Sequence, residues 1–290
     1  MAKNYILVII ATVLLAVEFA LQKLYQKQCG TGARAGLTFN AVSGLVSAVI
    51  FLAVSGFRID APLYAVIMAL CMSLCLVGYT LLGFRVLKAG NMAFYTMFLM
   101  TGGMIVPYVW GLAFLDEPFR VLRLIGLLVI VAAIVVSNVG AKRSNGKILL
   151  LCCIIFFLNG GCSVSSKLCQ TDNPYGIVSP TVFVFITGVF RFVLCGAALL
   201  FTKKNNGQAA AVSIKKVLLI IVGAAIVSGT SYALQLFGAA NLPATVLYPI
   251  VSGGSIIFST LAGMLLFHEK PNLYQTIGVG LCFAGACLFL

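Results

Sequence analysis

Two stretches decide how this chain is read: "GLAFLDEP" at 111–118 and "GMLLFHEKP" at 263–271. Each opens an apolar run with glycine and reaches a glutamate six residues later. The chain holds only six acidic residues in 290, so a shared context for two of them needs a cause. Either the glutamates form a paired-carboxylate site or a piece of architecture occurs twice. The neighbouring residues favour repetition. Gly111, Glu117 and Gly126 recur 152 positions later as Gly263, Glu269 and Gly278. Asn91 recurs as Asn241 at an offset of 150, and Gly103 as Gly254 at 151. Earlier in the chain, Lys23, Leu24, Gln26, Phe39 and Gly44 recur at an offset of 144 as Lys167, Leu168, Gln170, Phe183 and Gly188. A drift of a few residues is what loops of unequal length produce.

Composition says what kind of solvent the repeated unit faces. The chain is 62% hydrophobic and 9% charged, with a mean hydropathy of +1.13. Soluble domains carry about 25% charged residues, so this is a membrane protein. A helix needs about 20 apolar residues to cross the hydrocarbon core. Ten stretches meet that length: near Tyr5–Gln22, Gly36–Gly56, Ala61–Leu82, Met92–Leu115, Leu122–Val139, Ile148–Ser166, Pro180–Phe201, Val217–Leu236, Pro243–Phe267 and Leu273–Leu290. Period-two alternation is absent, which excludes a barrel. The gaps are short and polar ("GFRID", "DEPFR", "GAKRSNGK", "QTDNP", "TKKNNGQ"), leaving no room for a soluble domain. The first stretch lacks a small-residue cleavage site and is expected to be a retained spanning helix rather than a signal peptide.

The expected fold is therefore an all-α polytopic membrane protein with ten transmembrane helices in two units, 1–140 and 147–290. An odd number of helices per unit forces the two units into opposite orientations, so the repeat is inverted. The tandem five-helix units resemble the EamA-type domain of the drug/metabolite transporter superfamily. The resemblance rests on the two glycine-to-glutamate corners, on "RLIGLLVIVAAIVV" and "QTIGVGLCFAGACLFL" after them, and on "FRFVLCGAALLF", similar to the family's Arg-bearing second helix. The first unit departs there, with Ser47 at the offset position of Arg191. The resemblance implies a secondary transporter of a small organic solute (metabolite, amino acid or organic cation) in the cytoplasmic membrane of a bacterium. It implies alternating access, with proton or other ion coupling as an option and no cofactor.

The net charge of +13 sits in short gaps, where it meets lipid head groups and sets orientation rather than binding nucleic acid. Five Lys and Arg fall on the side of the N-terminus and thirteen on the other, with Arg191 inside a helix. That balance puts both termini outside, whereas relatives of the family are usually drawn with both inside. The expected partners are a small solute and lipid, with monomer and homodimer both open. Eight of the ten cysteines lie inside apolar runs with no metal-ligand spacing, so neither a disulfide framework nor a metal site is expected.

An ionisable residue at membrane depth is a functional hypothesis by default. Five of the six acids fall in gaps, and only Glu18, in "TVLLAVEFAL", lies within an apolar run. It is either a glutamate near a helix end, neutralised by Gln22 or Lys23, or a midplane carboxylate that binds a cation or exchanges a proton. The small multidrug exporters of the same superfamily carry an essential first-helix glutamate, set about one turn earlier than Glu18. Arg191 in "TGVFRFVLCG" is the mid-segment base. It can hold the carboxylate or phosphate of a solute, bind backbone carbonyls as a strut, or pair with Glu18. Asn40, Tyr79, Tyr95, Trp110, Asn159, Tyr232, Gln235 and Tyr248 are the candidate cavity lining, with packing as the alternative for each aromatic. Thr101–Gly103 and Ser252–Gly254 read either as hinges or as close-packing points. The sequence holds a single histidine, no Walker motif and neither GxSxG nor HExxH, so it is expected not to be an enzyme. An uncoupled uniporter, a lipid-modifying enzyme and a non-transporting subunit are the competing functions. Glu117 and Glu269 are expected at opposite membrane faces, each before a new helix whose positive end it favours.

Overall fold

The computed structural model describes residues 2–30, 32–88, 92–137, 146–171, 178–202, 214–268 and 273–289. Ten helices follow one another: α1 (Ala2–Cys29), α2 (Ala33–Val54), α3 (Leu63–Lys88), α4 (Met92–Phe114), α5 (Val121–Ser137), α6 (Gly146–Gln170), α7 (Pro180–Phe201), α8 (Ile214–Asn241), α9 (Ala244–Phe267) and α10 (Leu273–Cys287). The described residues contain no strand. Seven helices (α1, α2, α3, α6, α7, α8 and α9) are long and apolar enough to cross a membrane. The other three contribute shorter apolar stretches, Phe98–Phe114, Val121–Val136 and Thr276–Cys287. At 1.5 Å per residue, the 17 residues of α5 span about 26 Å, somewhat less than the hydrocarbon core of about 30 Å. Large apolar side chains cover the outside: Leu200, Phe157 and Phe283 are 84%, 67% and 63% exposed. Water would not tolerate so much apolar surface, and lipid does. This is an integral, multi-pass membrane protein.

Contacts fix how the helices run. Ser231 on α8 donates to Ala11 O at 2.7 Å, while Tyr25 packs with Ile221 and Ala224, so α1 and α8 are antiparallel. Arg34 at the start of α2 donates to Thr202 O beyond the end of α7 at 2.8 Å, which makes that pair antiparallel too. α1 lies along α8 and α9, while α6 lies along α3 and α4. α2 packs on α7, and α5 on α10. One core joins α1, α4, α5, α9 and α10 through Val8, Met104, Ile130, Leu247 and Cys282. A second joins α2, α3, α7 and α8 through Phe51, Ala69, Phe183 and Leu236.

Glycines allow the closest approaches. A Cβ on Gly44 would stand 2.9 Å from Gly188 O, and one on Gly188 would stand 2.8 Å from Gly44 O. The backbones of α2 and α7 thus touch at their centres. In Thr101–Gly103, a Cβ on Gly102 would meet Phe156 O at 2.2 Å, and one on Gly103 would meet Asn159 Nδ2 at 2.6 Å. Of the two readings of this motif, close packing is the one with a contact behind it. In Ser252–Gly254, a Cβ on Gly254 would stand 2.7 Å from Thr12 Cγ2, so α9 meets α1 in the same manner.

The opening motif now has a geometry. α4 and α9 each end in a left-handed residue five places after the glycine: Asp116 at φ 49° and His268 at φ 53°. Both are residue types that tolerate this region better than most side chains. Leu115 N and Glu117 N donate to Gly111 O, both at 3.2 Å, folding the chain back over the glycine. There a Cβ on Gly111 would stand 2.8 Å from Glu117 Oε2. The glycine leaves room for the carboxylate that lies over it. That carboxylate does not serve the helix that follows, which corrects the expectation above. It accepts from Ala244 N at 2.5 Å and Thr245 N at 2.9 Å, capping α9 instead. The amides of α9 need such a partner because Pro243 before them supplies no side-chain cap. Glu269 lies outside the described residues.

Candidate functional site

Glu18 sits seven residues after Ala11 and seven before Tyr25, so the three share one face of α1. Ala11 touches Ser231 of α8. Tyr25 packs its ring 5.0 Å from that of Phe39 and donates to Ala35 O at 3.1 Å, both on α2. Glu18 is therefore partly buried on the side of α1 that faces α8 and α2.

Arg191 approaches from α7. Its Nη2 donates to Ser43 Oγ on α2 at 2.6 Å. The Gly44–Gly188 crossing brings this about, because a Cβ at Gly44 would stand 3.2 Å from Arg191 Cβ. Arg191 and Glu18 thus both face α2, from α7 and α1. The Arg191 Nε is buried without a hydrogen-bond partner. About one turn along α2, Ser47 holds α2 to α8 by donating to Ala225 O at 3.3 Å. Glu18, Ser43 and Arg191 all lie near the middle of their helices. The set combines a carboxylate, a hydroxyl and a guanidinium with unused donor capacity. Such a set can hold a cation or proton on one side and an oxyanion on the other.

The neutral candidates separate into several places. Tyr232 on α8 shares a hydrogen bond of 2.7 Å with Ser166 on α6 and donates to Met72 Sδ on α3 at 3.0 Å. Tyr248 donates to Ser163 O. Gln235 donates to Ser231 Oγ at 3.2 Å, on the α1-facing side of α8. These three form a polar layer displaced from Glu18 along the bundle, towards the Glu117 corner. Asn159 is committed elsewhere: its Nδ2 donates to Leu99 O at 2.7 Å, tying α6 to α4. Asn40 donates to Gly36 O of its own helix at 3.0 Å. Tyr79 packs against the cluster of Val86, Cys152 and Ile155. Trp110 lies 4.3 Å from the ring of Phe114, with its Nε1 buried and unpartnered. The Tyr95 side chain lies outside the described residues. A cavity of about 160 Å³ between α1 and α9 is lined by Ala16, Phe19, Ala20, Lys23, Ser259, Ala262 and Gly263. At 100° per residue it opens on the face of α1 opposite Glu18. Among the described residues, no three His, Cys, Asp or Glu side chains are grouped to hold a metal.

The sequence reading missed three contributors. Ser43 is an ordinary serine until Arg191 is seen to point at it. Met72 accepts a hydrogen bond that no local pattern announces. Lys167 passed as a charge near a helix end, yet it is 7% exposed and donates to Ala239 O at 2.7 Å and Leu242 O at 2.6 Å. The signal for Lys167 was present in its recurrence as Lys23 within the repeat.

This architecture defines a class, the polytopic all-helical membrane protein, here with a carboxylate and a guanidinium near the middle of two of its helices. The model of the EamA-like transporter family matches residues 146–290. The chain belongs to that family of membrane transporters. No curated protein matches the chain, whereas 29 solved chains do. One of them, titled only as the crystal structure of a protein, aligns over 99% of this chain and 96% of its own, at 15% identity and a TM-score of 0.81. At that identity the likeness speaks for the fold alone.

Proposed function

We propose that the protein is a secondary transporter that moves a small organic solute across the cytoplasmic membrane of a bacterium by alternating access. Its ten helices all span, as two inverted units over 1–140 and 147–290. What supports the inversion is an exchange rule. Adding or subtracting five turns the packing of α1 on α8 and α9 into that of α6 on α3 and α4. The α2–α7 and α5–α10 pairs map onto themselves.

The observation that carries the functional reading is that Glu18 and Arg191 both face α2 from the middle of their helices. They come from α1 and α7, one from each unit. In this reading Glu18 takes up the coupling proton or a cationic group, and Arg191 takes an anionic group through the donors that Ser43 does not use. Opening of the halves to one side and then the other exposes the pair in turn. The test is flux in liposomes under an imposed pH gradient. Glu18→Gln should abolish coupled flux while the protein stays monodisperse, and pH-dependent flux that survives the substitution would refute the role. A thermal-shift screen of amino acids, amines, nucleotide sugars and drugs would name the solute, through a hit lost in Glu18→Gln or Arg191→Ala.

That Arg191 and Glu18 face the same helix also allows a second reading. If Arg191 neutralises Glu18 throughout the cycle, no proton need be exchanged and the protein is an uncoupled facilitator. Flux indifferent to the pH gradient in the native protein would decide for it.

A further inference from the structure

The corner between α8 and α9 is gripped from two sides. Asn241, Leu242 and Pro243 make the turn. On one side the Lys167 ammonium of α6 donates to Ala239 O in the last turn of α8 and to Leu242 O just beyond it. On the other the Glu117 carboxylate, from the turn after α4, accepts from the first amides of α9, Ala244 N and Thr245 N. Each charge sits on the helix end that its sign favours, a cation on carbonyls and an anion on amides. Arg123 adds a contact from the first turn of α5 to Thr245 Oγ1 at 3.4 Å.

α8 and α9 each pack most extensively on α1, and α4 and α6 on each other, while α4 and α9 also share the core around Met104 and Leu247. The two grips lie at a single end of the bundle, where α4 and α6 meet the α8–α9 corner. We propose that Glu117 and Lys167 form a releasable clasp on the α8–α9 corner that holds this end shut, and that its release is the step that opens it. The inference rests on the alternating-access reading above. Every bond of the clasp ends on backbone beside the α8–α9 turn, so release leaves both helices intact, and water entering as this end opens satisfies the freed groups.

Hydrogen exchange followed by mass spectrometry on the purified protein in nanodiscs tests this without any solute. In Glu117→Gln and in Lys167→Met, exchange over residues 239–247 should rise about tenfold, the scale set by losing one or two capping bonds. Exchange over the far-end segments that border the α1–α9 cavity, 19–23 and 259–263, should fall at the same time. That reciprocal fall is the decisive readout, because an ordinary helix cap would raise exchange locally and leave the far end unchanged. A local rise alone, or no rise at 239–247, overturns the proposal. If Lys167→Met does not yield folded protein, Glu117→Gln decides by itself, since it alters a side chain at the bundle's rim. Reciprocal exchange in a protein that moves no solute would leave the clasp standing and refute transport. Coupled flux without reciprocity would do the opposite.

Discussion

Replacing Gly102 by alanine adds one methyl group at the tightest helix contact in the bundle. The new Cβ would lie 2.2 Å from Phe156 O and 2.7 Å from both Phe156 C and Cα. All three atoms are backbone, so no rotamer change relieves them. An ordinary contact is about 3.4 Å, so α4 and α6 must separate by roughly 1.2 Å, as the difference between the two distances requires. Overpacking of this kind costs about 1–3 kcal/mol. The separation also stretches two bonds that tie the helices, Asn159 Nδ2 to Leu99 O at 2.7 Å and Ser163 Oγ to Gly103 O at 3.2 Å. Interhelical bonds in membranes are worth about 0.6 kcal/mol each, which brings the expected loss to about 2–4 kcal/mol. Gly196 supplies the control. It is also helical, on α7, but a Cβ there meets nothing within 4 Å. Gly196→Ala should be neutral or stabilising, by up to about 1 kcal/mol from helix propensity. Thermal unfolding in detergent measures both, and Gly102→Ala should melt several degrees below the native protein. A Gly102→Ala variant as stable as Gly196→Ala would refute the packing argument.

Other substitutions probe the remaining contacts. Gly44→Ala drives a Cβ against the backbone of Gly188 and beside Arg191; it should lower the melting temperature and weaken solute binding together, in the same thermal-shift assay. Tyr232→Phe removes the hydroxyl shared with Ser166 and Met72; a loss of about 1 kcal/mol in denaturant titration is expected from the broken bonds. Gly111→Ala pushes against the Glu117 carboxylate; it should cost about 1–2 kcal/mol, the value of a helix cap, and should add little once Glu117 is already Ala.

The apolar stretches read from the sequence all correspond to helices, because apolar length is a local property that the chain displays directly. α7 runs over Pro180–Phe201, as the proline at its start and the polar run after it suggest. Ends were less legible where polar residues continue a helix. α8 extends to Asn241, whose side chain donates to Phe237 O at 2.8 Å and so belongs to the last turn. The charged residues of the candidate site were visible one at a time, since a carboxylate or guanidinium in an apolar run is conspicuous alone. Its third member was not, because a serine in a helix has no signature until Arg191, 148 residues away, is brought to it. Glu117 shows the same limit. The repeat identified its corner, and local reasoning assigned it to the nearest helix start, but the free amides it meets lie 127 and 128 residues further on.

That separation also has a meaning in time. A ribosome adding about 5–20 residues per second needs roughly 6–25 seconds to make the 127 residues from Glu117 to Ala244. Lys167 is made partway through that interval, ahead of the carbonyls it will hold. Until then neither charge has the backbone groups it holds in the folded protein, and the α8–α9 corner, made after both, completes the two grips together.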